Sequence, residues 1–216
     1  MKMTIETRVI KINPGGVELD KIKSIAQFLK KPGVMAFPTD TFYGLGTDCF
    51  SPEEIRRIYQ IKKRKMEKPI PLIIAEVEEA KRIAGEIPPL FWSLAEEFWP
   101  GPLTLILKAS PALPLELLGH SQAIGVRLPA VPWLRELVRE AGFPLTATSA
   151  NLSGEKEINH PEKIKDIFWG KVDLIVDGGK TLGTLPSTVL DMTSEKPKIL
   201  REGIIPVTQL RKYLSA

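Results

Sequence analysis

Apolar residues recur along this chain with two alternating periods. Leu19, Ile22, Ile25, Ala26 and Leu29 fall at three- and four-residue intervals inside "ELDKIKSIAQFLKK", the spacing of one helix face, and Pro32-Gly33 ends the run. The short apolar runs on either side, "TRVIKI" (7–12) and "GVMAF" (33–37), predict strands. Ser51-Pro52 followed by Glu53 and Glu54 opens a second helix over 53–64, with a hydroxyl at the cap, proline in the first turn and acids at the positive pole. Further on, the pattern predicts a strand at 69–75, helices at 76–84 and 88–99, and a strand at 103–109 opened by the turn Pro100-Gly101-Pro102. A strand at 123–129, a helix at 131–142 closed by Gly142, a strand at 144–150, a helix at 161–170 and a strand at 172–179 follow. The chain closes with a strand pair at 187–193 and 197–203 and a helix at 207–214.

Strands and helices interleave throughout, which predicts an α/β fold. The connections are irregular and some neighbouring strands read as antiparallel, so one mixed sheet with flanking helices is expected. No repeat, low-complexity tract or linker divides the sequence, and 1–216 is expected to be a single domain.

Composition narrows the function classes. At 216 residues, 43% hydrophobic and 26% charged, the chain can bury a sizeable core and is too apolar for intrinsic disorder. A net charge of +4 leans weakly toward anionic partners such as nucleotides or RNA. Cys49 is the lone cysteine and His120 and His160 lie far apart, so neither an intrachain disulfide nor a metal site built from protein side chains is expected. "MKMTIETRVI" lacks the apolar stretch of a signal peptide and no run reaches membrane-spanning length, which predicts a cytoplasmic protein without membrane contact.

Several familiar motifs fail. "DGGKT" has Leu174 where a phosphate loop needs glycine, and "GLGTDC" has Cys49 where a dinucleotide fingerprint needs its third glycine. "SGEK" lacks the companion motifs of a serine-lysine enzyme, and no nucleophile elbow exists. Four stretches resist a purely structural explanation. "FPTDTFYGLG" (37–46) crowds Thr39, Asp40, Thr41 and Tyr43 onto one turn, more polar groups than a turn needs. "KKRKMEKP" (62–69) reads either as a solvated basic helix end or as a cationic clamp in which Arg64 and Lys68 grip phosphates. "TATSANLSG" (146–154) runs an apolar strand into Ser149, Asn151 and Ser153, residues that cap turns or cradle anions. Finally, Ser187 opens a strand after proline, and Arg127 and Arg201 sit in or at the end of strands, where a buried guanidinium needs a partner.

Together these stretches resemble the YrdC-like, or TsaC, family of threonylcarbamoyl-AMP synthases. The matching features are "PTDTFYGLG", the arrangement of Lys62, Arg64, Lys68 and Pro69, "PGPLTLIL", "GVRLP", "SANLSG", "STVLD" and "REG", in family order over residues 33–203. The resemblance implies a twisted mixed sheet curved around a basic cavity. It also implies an enzyme, a nucleotidyltransferase that takes L-threonine, bicarbonate and ATP, normally with magnesium, and releases pyrophosphate and threonylcarbamoyl-adenylate. A tRNA-modifying threonylcarbamoyl transferase complex then consumes that product at the adenosine beside the anticodon in tRNAs reading ANN codons. Carried over residue by residue, the resemblance assigns Thr41, Arg127, Ala147 and Ser187 to threonine. It assigns Arg64, Lys68, Ser149, Asn151, Asn159 and Arg201 to ATP, with Lys62 beside Arg64 and Lys68 in the catalytic group. The turn 62–69 is the expected lid. Ile73, Ala123 and Lys65 depart from residues frequent in relatives (histidine, a hydroxyl residue and proline, respectively). The ending after "REGIIPVTQLRKYLSA" looks like the short stand-alone form. Two other readings compete: a module of the same fold that binds tRNA or other RNA through phosphates, and a paralogous ATP-binding enzyme with another substrate.

Overall fold

The computed structural model describes residues 5–214; the first four residues of the N-terminal stretch and the last two of the chain lie outside them. Its strands are β1 (Arg8–Lys11), β2 (Met35–Pro38), β3 (Tyr43–Gly46), β4 (Leu72–Ile73), β5 (Ala84–Glu86), β6 (Leu103–Ala109), β7 (Ala123–Arg127), β8 (Leu145–Thr146), β9 (Thr148–Ser149), β10 (Leu174–Asp177), β11 (Thr188–Asp191) and β12 (Lys198–Arg201). Its helices are α1 (Leu19–Leu29), α2 (Pro52–Lys62), α3 (Ala80–Ile83), α4 (Pro89–Phe98), α5 (Leu115–Leu118), α6 (Pro132–Ala141), α7 (Pro161–Phe168) and α8 (Val207–Leu214). The α/β class holds, with parallel and antiparallel pairing mixed, but the strands form two ladders rather than one sheet. The first runs β1-β10-β2-β3-β9, the second β12-β11-β6-β7-β4-β8 with β5 added beside β6.

The helical spacing is used as expected. Ile22, Ile25, Ala26 and Leu29 of α1 are buried, and they pack with Trp133, Leu134, Leu137 and Val138 of α6 over Met35, Phe37, Leu174 and Val176 of the first ladder. A second cluster fills the space among α2, α4 and the inner strands, with Ile55, Ile58, Phe91, Leu94, Leu103, Leu105, Leu107, Ile124 and Val126. Gly142 closes α6 in the left-handed conformation (φ 85°), which glycine adopts without a Cβ penalty.

The strand β3 and the short helix α5 are not expected from the sequence pattern, and three expected elements differ, each for a local reason. The strand expected over 69–75 keeps only Leu72 and Ile73 in ladder pairing, because Pro69 and Pro71 carry no N–H to donate. The helix expected over 76–84 stops at Ile83, and Ala84–Glu86 instead pairs with β6; Gly85 lies against the Ala109 backbone at a distance no side chain would allow comfortably. The strand expected over 144–150 divides between the ladders, with β8 pairing to β4 and β9 pairing to β3.

That division makes residues 145–149 the seam of the molecule. Thr146 donates its N–H to Thr47 O (2.9 Å) and Ala147 to Pro71 O (2.8 Å), so adjacent residues are held by opposite ladders. β3 approaches the seam so closely that a Cβ on Gly46 would sit 2.2 Å from Thr146 O and 2.8 Å from Phe37. Glycine is required there by space. Gly46→Ala is expected to lower stability by about 1–3 kcal/mol, the usual cost of overpacking, as read from the midpoint of a urea unfolding curve; an unchanged midpoint would mean that the ladders separate freely.

Candidate active site

One face of the second ladder carries the core and the other forms the floor of a cavity of about 520 Å³. Alternation along each strand makes the separation: Leu103, Leu105 and Leu107 point into the core while Thr104 and Ile106 line the cavity. Likewise Ala123, Gly125 and Arg127 of β7, and Val189 and Asp191 of β11, face the cavity. The seam adds Ala147, Thr148 and Ser149, and the first ladder adds Thr39, Thr41, Tyr43 and Gly44.

One end of the floor is a dense polar cluster. Arg127 is buried, and its guanidinium donates from Nη2 to Asp40 Oδ1 (2.6 Å), from Nε to Gly101 O (3.0 Å) and from Nη1 toward Thr41 Oγ1 (3.4 Å). Burial pulls its pKa down from the ordinary guanidinium value, while the Asp40 carboxylate acts the other way and helps hold the charge. Thr39 receives the Thr41 N–H on its hydroxyl and donates to Phe42 O, which fixes the tight turn. Beside it, Thr104 and Ser187 share a hydrogen bond (2.9 Å), and Arg201 donates to Ser187 O (3.1 Å) and Oγ (3.2 Å).

The adjoining wall holds Arg64. It donates to Thr148 Oγ1 (3.0 Å), Lys68 O (3.1 Å) and Pro69 O (2.8 Å), and its Nε is buried without a partner. Tyr59 Oη also donates to Lys68 O (2.7 Å), so the turn expected to act as a lid is fastened at its end. Neither Arg64 nor Arg201 forms an ion pair among the described residues. Burial pulls both guanidinium pKa values down, and Glu157, another cavity residue, is the carboxylate within electrostatic reach of Arg201. Lys62 lies behind this wall. It is buried, with Nζ donating to Ser149 O, Asn151 O (2.8 Å) and Asn151 Oδ1 (2.9 Å). Asn151 in turn accepts from Ser149 Oγ (2.6 Å), so the pair sets the shape of the 149–151 segment.

Of the residues singled out in the sequence, Thr41, Arg64, Arg127, Ala147, Ser149, Ser187 and Arg201 are brought together around the cavity. Lys62 and Asn151 brace its wall from behind. Lys68 is exposed at the end of the 63–69 turn, and Asn159 is half-buried away from the lining, accepting the Thr181 N–H (2.9 Å) on its carbonyl. Sequence reasoning missed Thr104, Thr148, Glu157 and Asp191 as lining residues. Thr104 had a legible signal, a hydroxyl at an alternating position of the apolar run "LTLILKA".

Comparison with known proteins bears on this geometry. The protein-family profile described as "Sua5_yciO_yrdC: Telomere recombination" matches residues 27–203. The chain belongs to the Sua5–YciO–YrdC family. Within that family it is 36% identical over 198 residues to a Pyrococcus abyssi protein named threonylcarbamoyl-AMP synthase, covering 92% of this chain and 58% of the relative. A Bacillus subtilis protein of the same name is 36% identical over 195 residues, covering 90% of this chain and 56% of the relative. The chain thus spans less than two thirds of the length of either. Among solved structures, P. abyssi Sua5 complexed with L-threonine superposes with a TM-score of 0.90 at 35% identity, over 95% of this chain and 60% of that one. E. coli YciO superposes with a TM-score of 0.85 at 30% identity, over 93% and 98%. In this member of the Sua5–YciO–YrdC family no helix among the described residues is long and apolar enough to cross a membrane.

The buried Lys62 carries a test of its own. Desolvation, and then the nearby Arg64 charge, push its pKa down to about 7, against the pull of Glu157. A lysine lowered in the folded state binds fewer protons there than in the unfolded chain between that value and its ordinary one. Stability relative to Lys62→Met is therefore expected to rise as pH increases from about 7 to 10, to be lost progressively as pH falls back toward 7, and to level off below it. Urea unfolding of both proteins across that range reads the difference; parallel curves would mean that the carbonyl cage keeps Lys62 charged at its ordinary pKa.

Proposed function

We propose that this chain is a threonylcarbamoyl-AMP synthase, a nucleotidyltransferase that forms threonylcarbamoyl-adenylate and pyrophosphate from L-threonine, bicarbonate and ATP. The observation that carries the proposal is the pair of guanidiniums, Arg64 and Arg201, in the cavity wall without ion-pair partners, next to a polar end organised by Arg127. Partial desolvation disfavours their charge, more for half-buried Arg64 than for the more exposed Arg201, and an incoming anion would offset that penalty. The names of the relatives, and the threonine complex of P. abyssi Sua5, support the same reading.

The chemistry asks little covalent work of the protein. The threonine amine adds to carbon dioxide derived from bicarbonate and loses a proton to give a carbamate. A carbamate oxygen then attacks the α-phosphorus of ATP, and the bond to the leaving pyrophosphate breaks. The protein's tasks are positioning and charge stabilisation. Thr41, Arg127, Ala147 and Ser187 would receive threonine, with Arg127 held in place by Asp40. Arg64, Ser149 and Arg201 would meet the phosphates, Lys68 would have to reach in from the exposed end of the 63–69 turn and Asn159 from outside the lining, and Lys62 with Asn151 would hold Ser149 in place. Among the described residues, no three His, Cys, Asp or Glu side chains are grouped to hold a metal. A magnesium ion would therefore arrive with ATP, ligated mainly by phosphate oxygens and water, and would supply charge neutralisation on the phosphates. The adenylate is labile to water, which suits a downstream tRNA-modifying transferase that consumes it promptly. A cavity of about 520 Å³ has the size of a small-molecule site, which favours this reading over a module that binds RNA.

The decisive experiment is pyrophosphate release from ATP and magnesium with threonine and bicarbonate added singly and together. Release is expected only with both, and chelation of magnesium should abolish it; no release under any condition would sink the synthase reading. In the same assay Arg64→Ala is expected to lower kcat/KM for ATP about ten- to a hundredfold, the scale of one charge-assisted hydrogen bond. Thr41→Ala should raise the KM for threonine more than that for ATP, and an equal rise in both would remove Thr41 from the threonine wall.

A further inference from the structure

The floor of the cavity changes character along its length. Ser187, Thr104 and Arg127 make its first end polar. From Ser187 to Asp191 the extended chain covers about 13 Å, four residues of strand rise, and the floor turns apolar beyond the row in which Val189 lies between Thr104 and Arg201. Asp191 pairs across β6 with Ile106, and Ile106 pairs across β7 with Gly125, so these three residues form one row facing the cavity. Val189 occupies the preceding row, and Pro71 and Leu200 add apolar wall. The far end closes on Ser121, Ala123 and the Asp191 carboxylate.

That carboxylate is half engaged. Asp191 Oδ1 accepts the Thr193 N–H (2.9 Å) and the Thr193 hydroxyl (2.7 Å), while Oδ2 has no hydrogen-bond partner among the described residues. Its cross-strand neighbour Lys198 forms no ion pair with it. Arg201, paired across from Val189, turns its guanidinium to Ser187 O and Oγ rather than to Asp191. An apolar patch ending in a free carboxylate oxygen, with the Arg201 guanidinium turned to Ser187, complements a flat heteroaromatic ring bearing an N–H donor.

We infer that Asp191 is a specificity-determining residue that accepts a hydrogen bond from the exocyclic amine of the purine while the ring lies on Ile106 and Gly125. The inference rests on the synthase reading for the identity of the nucleotide, but the contact is to any 6-aminopurine nucleotide and is read by binding alone. Geometry also separates Asp191 from its turn. Asp191→Asn keeps an oxygen for Thr193 and presents an amide N–H₂ to the patch in place of the second oxygen.

Calorimetric titration of the wild-type protein with ATP, with purine riboside triphosphate (which lacks the 6-amino group) and with inosine triphosphate (6-oxo) tests the contact. Wild type is expected to bind ATP about tenfold or more tightly than the other two, the scale of a hydrogen bond to a charged group. Asp191→Asn should erase the preference over purine riboside triphosphate to within about twofold and raise the relative affinity for inosine triphosphate, with an unchanged thermal midpoint showing an intact fold. Equal wild-type affinities, a preference that survives the substitution, or no binding of ATP at all would each overturn the inference. A preference that depends on Asp191 in a protein that releases no pyrophosphate would uphold the base contact and overturn the synthase reading instead.

Discussion

The arrangement depends on five consecutive residues that belong to both ladders. Leu145 and Thr146 pair with β4 of the second ladder and Thr148 and Ser149 with β3 of the first, while the Thr146 N–H crosses to Thr47 O. Because successive residues in extended chain point to opposite sides, a segment that changes partners at Ala147 presents backbone and side chain to the gap between the sheets. The cavity lies along that gap. Its two walls are therefore covalently continuous.

Around the seam, polar groups are arranged so that few are wasted. Asp40 offsets the burial of Arg127, and Asn151 turns the Lys62 ammonium into a brace for Ser149. Arg64 and Arg201 are the exception, tied to carbonyls and hydroxyls but to no carboxylate. Arg64 is half-buried and Arg201 stands on an exposed strand end, and partly desolvated cations left in this state favour binding an anion.

Much of this was legible in the sequence, and what was not has identifiable causes. The helices α1 and α6 followed from their apolar spacing, and the polar crowding of 37–46 marked a site because a turn alone does not need so many hydrogen-bonding groups. Two features were hidden. The transfer of residues 145–149 between ladders leaves no mark in periodicity, since either partner asks for the same extended chain. The Asp40–Arg127 pair joins residues 87 positions apart: the requirement that a strand arginine find a partner was readable, but nothing local said which acid would meet it. Asp191 was missed for a related reason, because a carboxylate near a turn is usually explained by the turn, and one of its oxygens is indeed used there.

The fastening of the 63–69 turn also bears on how a ligand is received. Arg64 is held by Lys68 O and Pro69 O, and Tyr59 secures the same carbonyl. On the proposed reading, a phosphate arriving at this guanidinium would find it already oriented, so little conformational freedom would be surrendered at the moment of encounter.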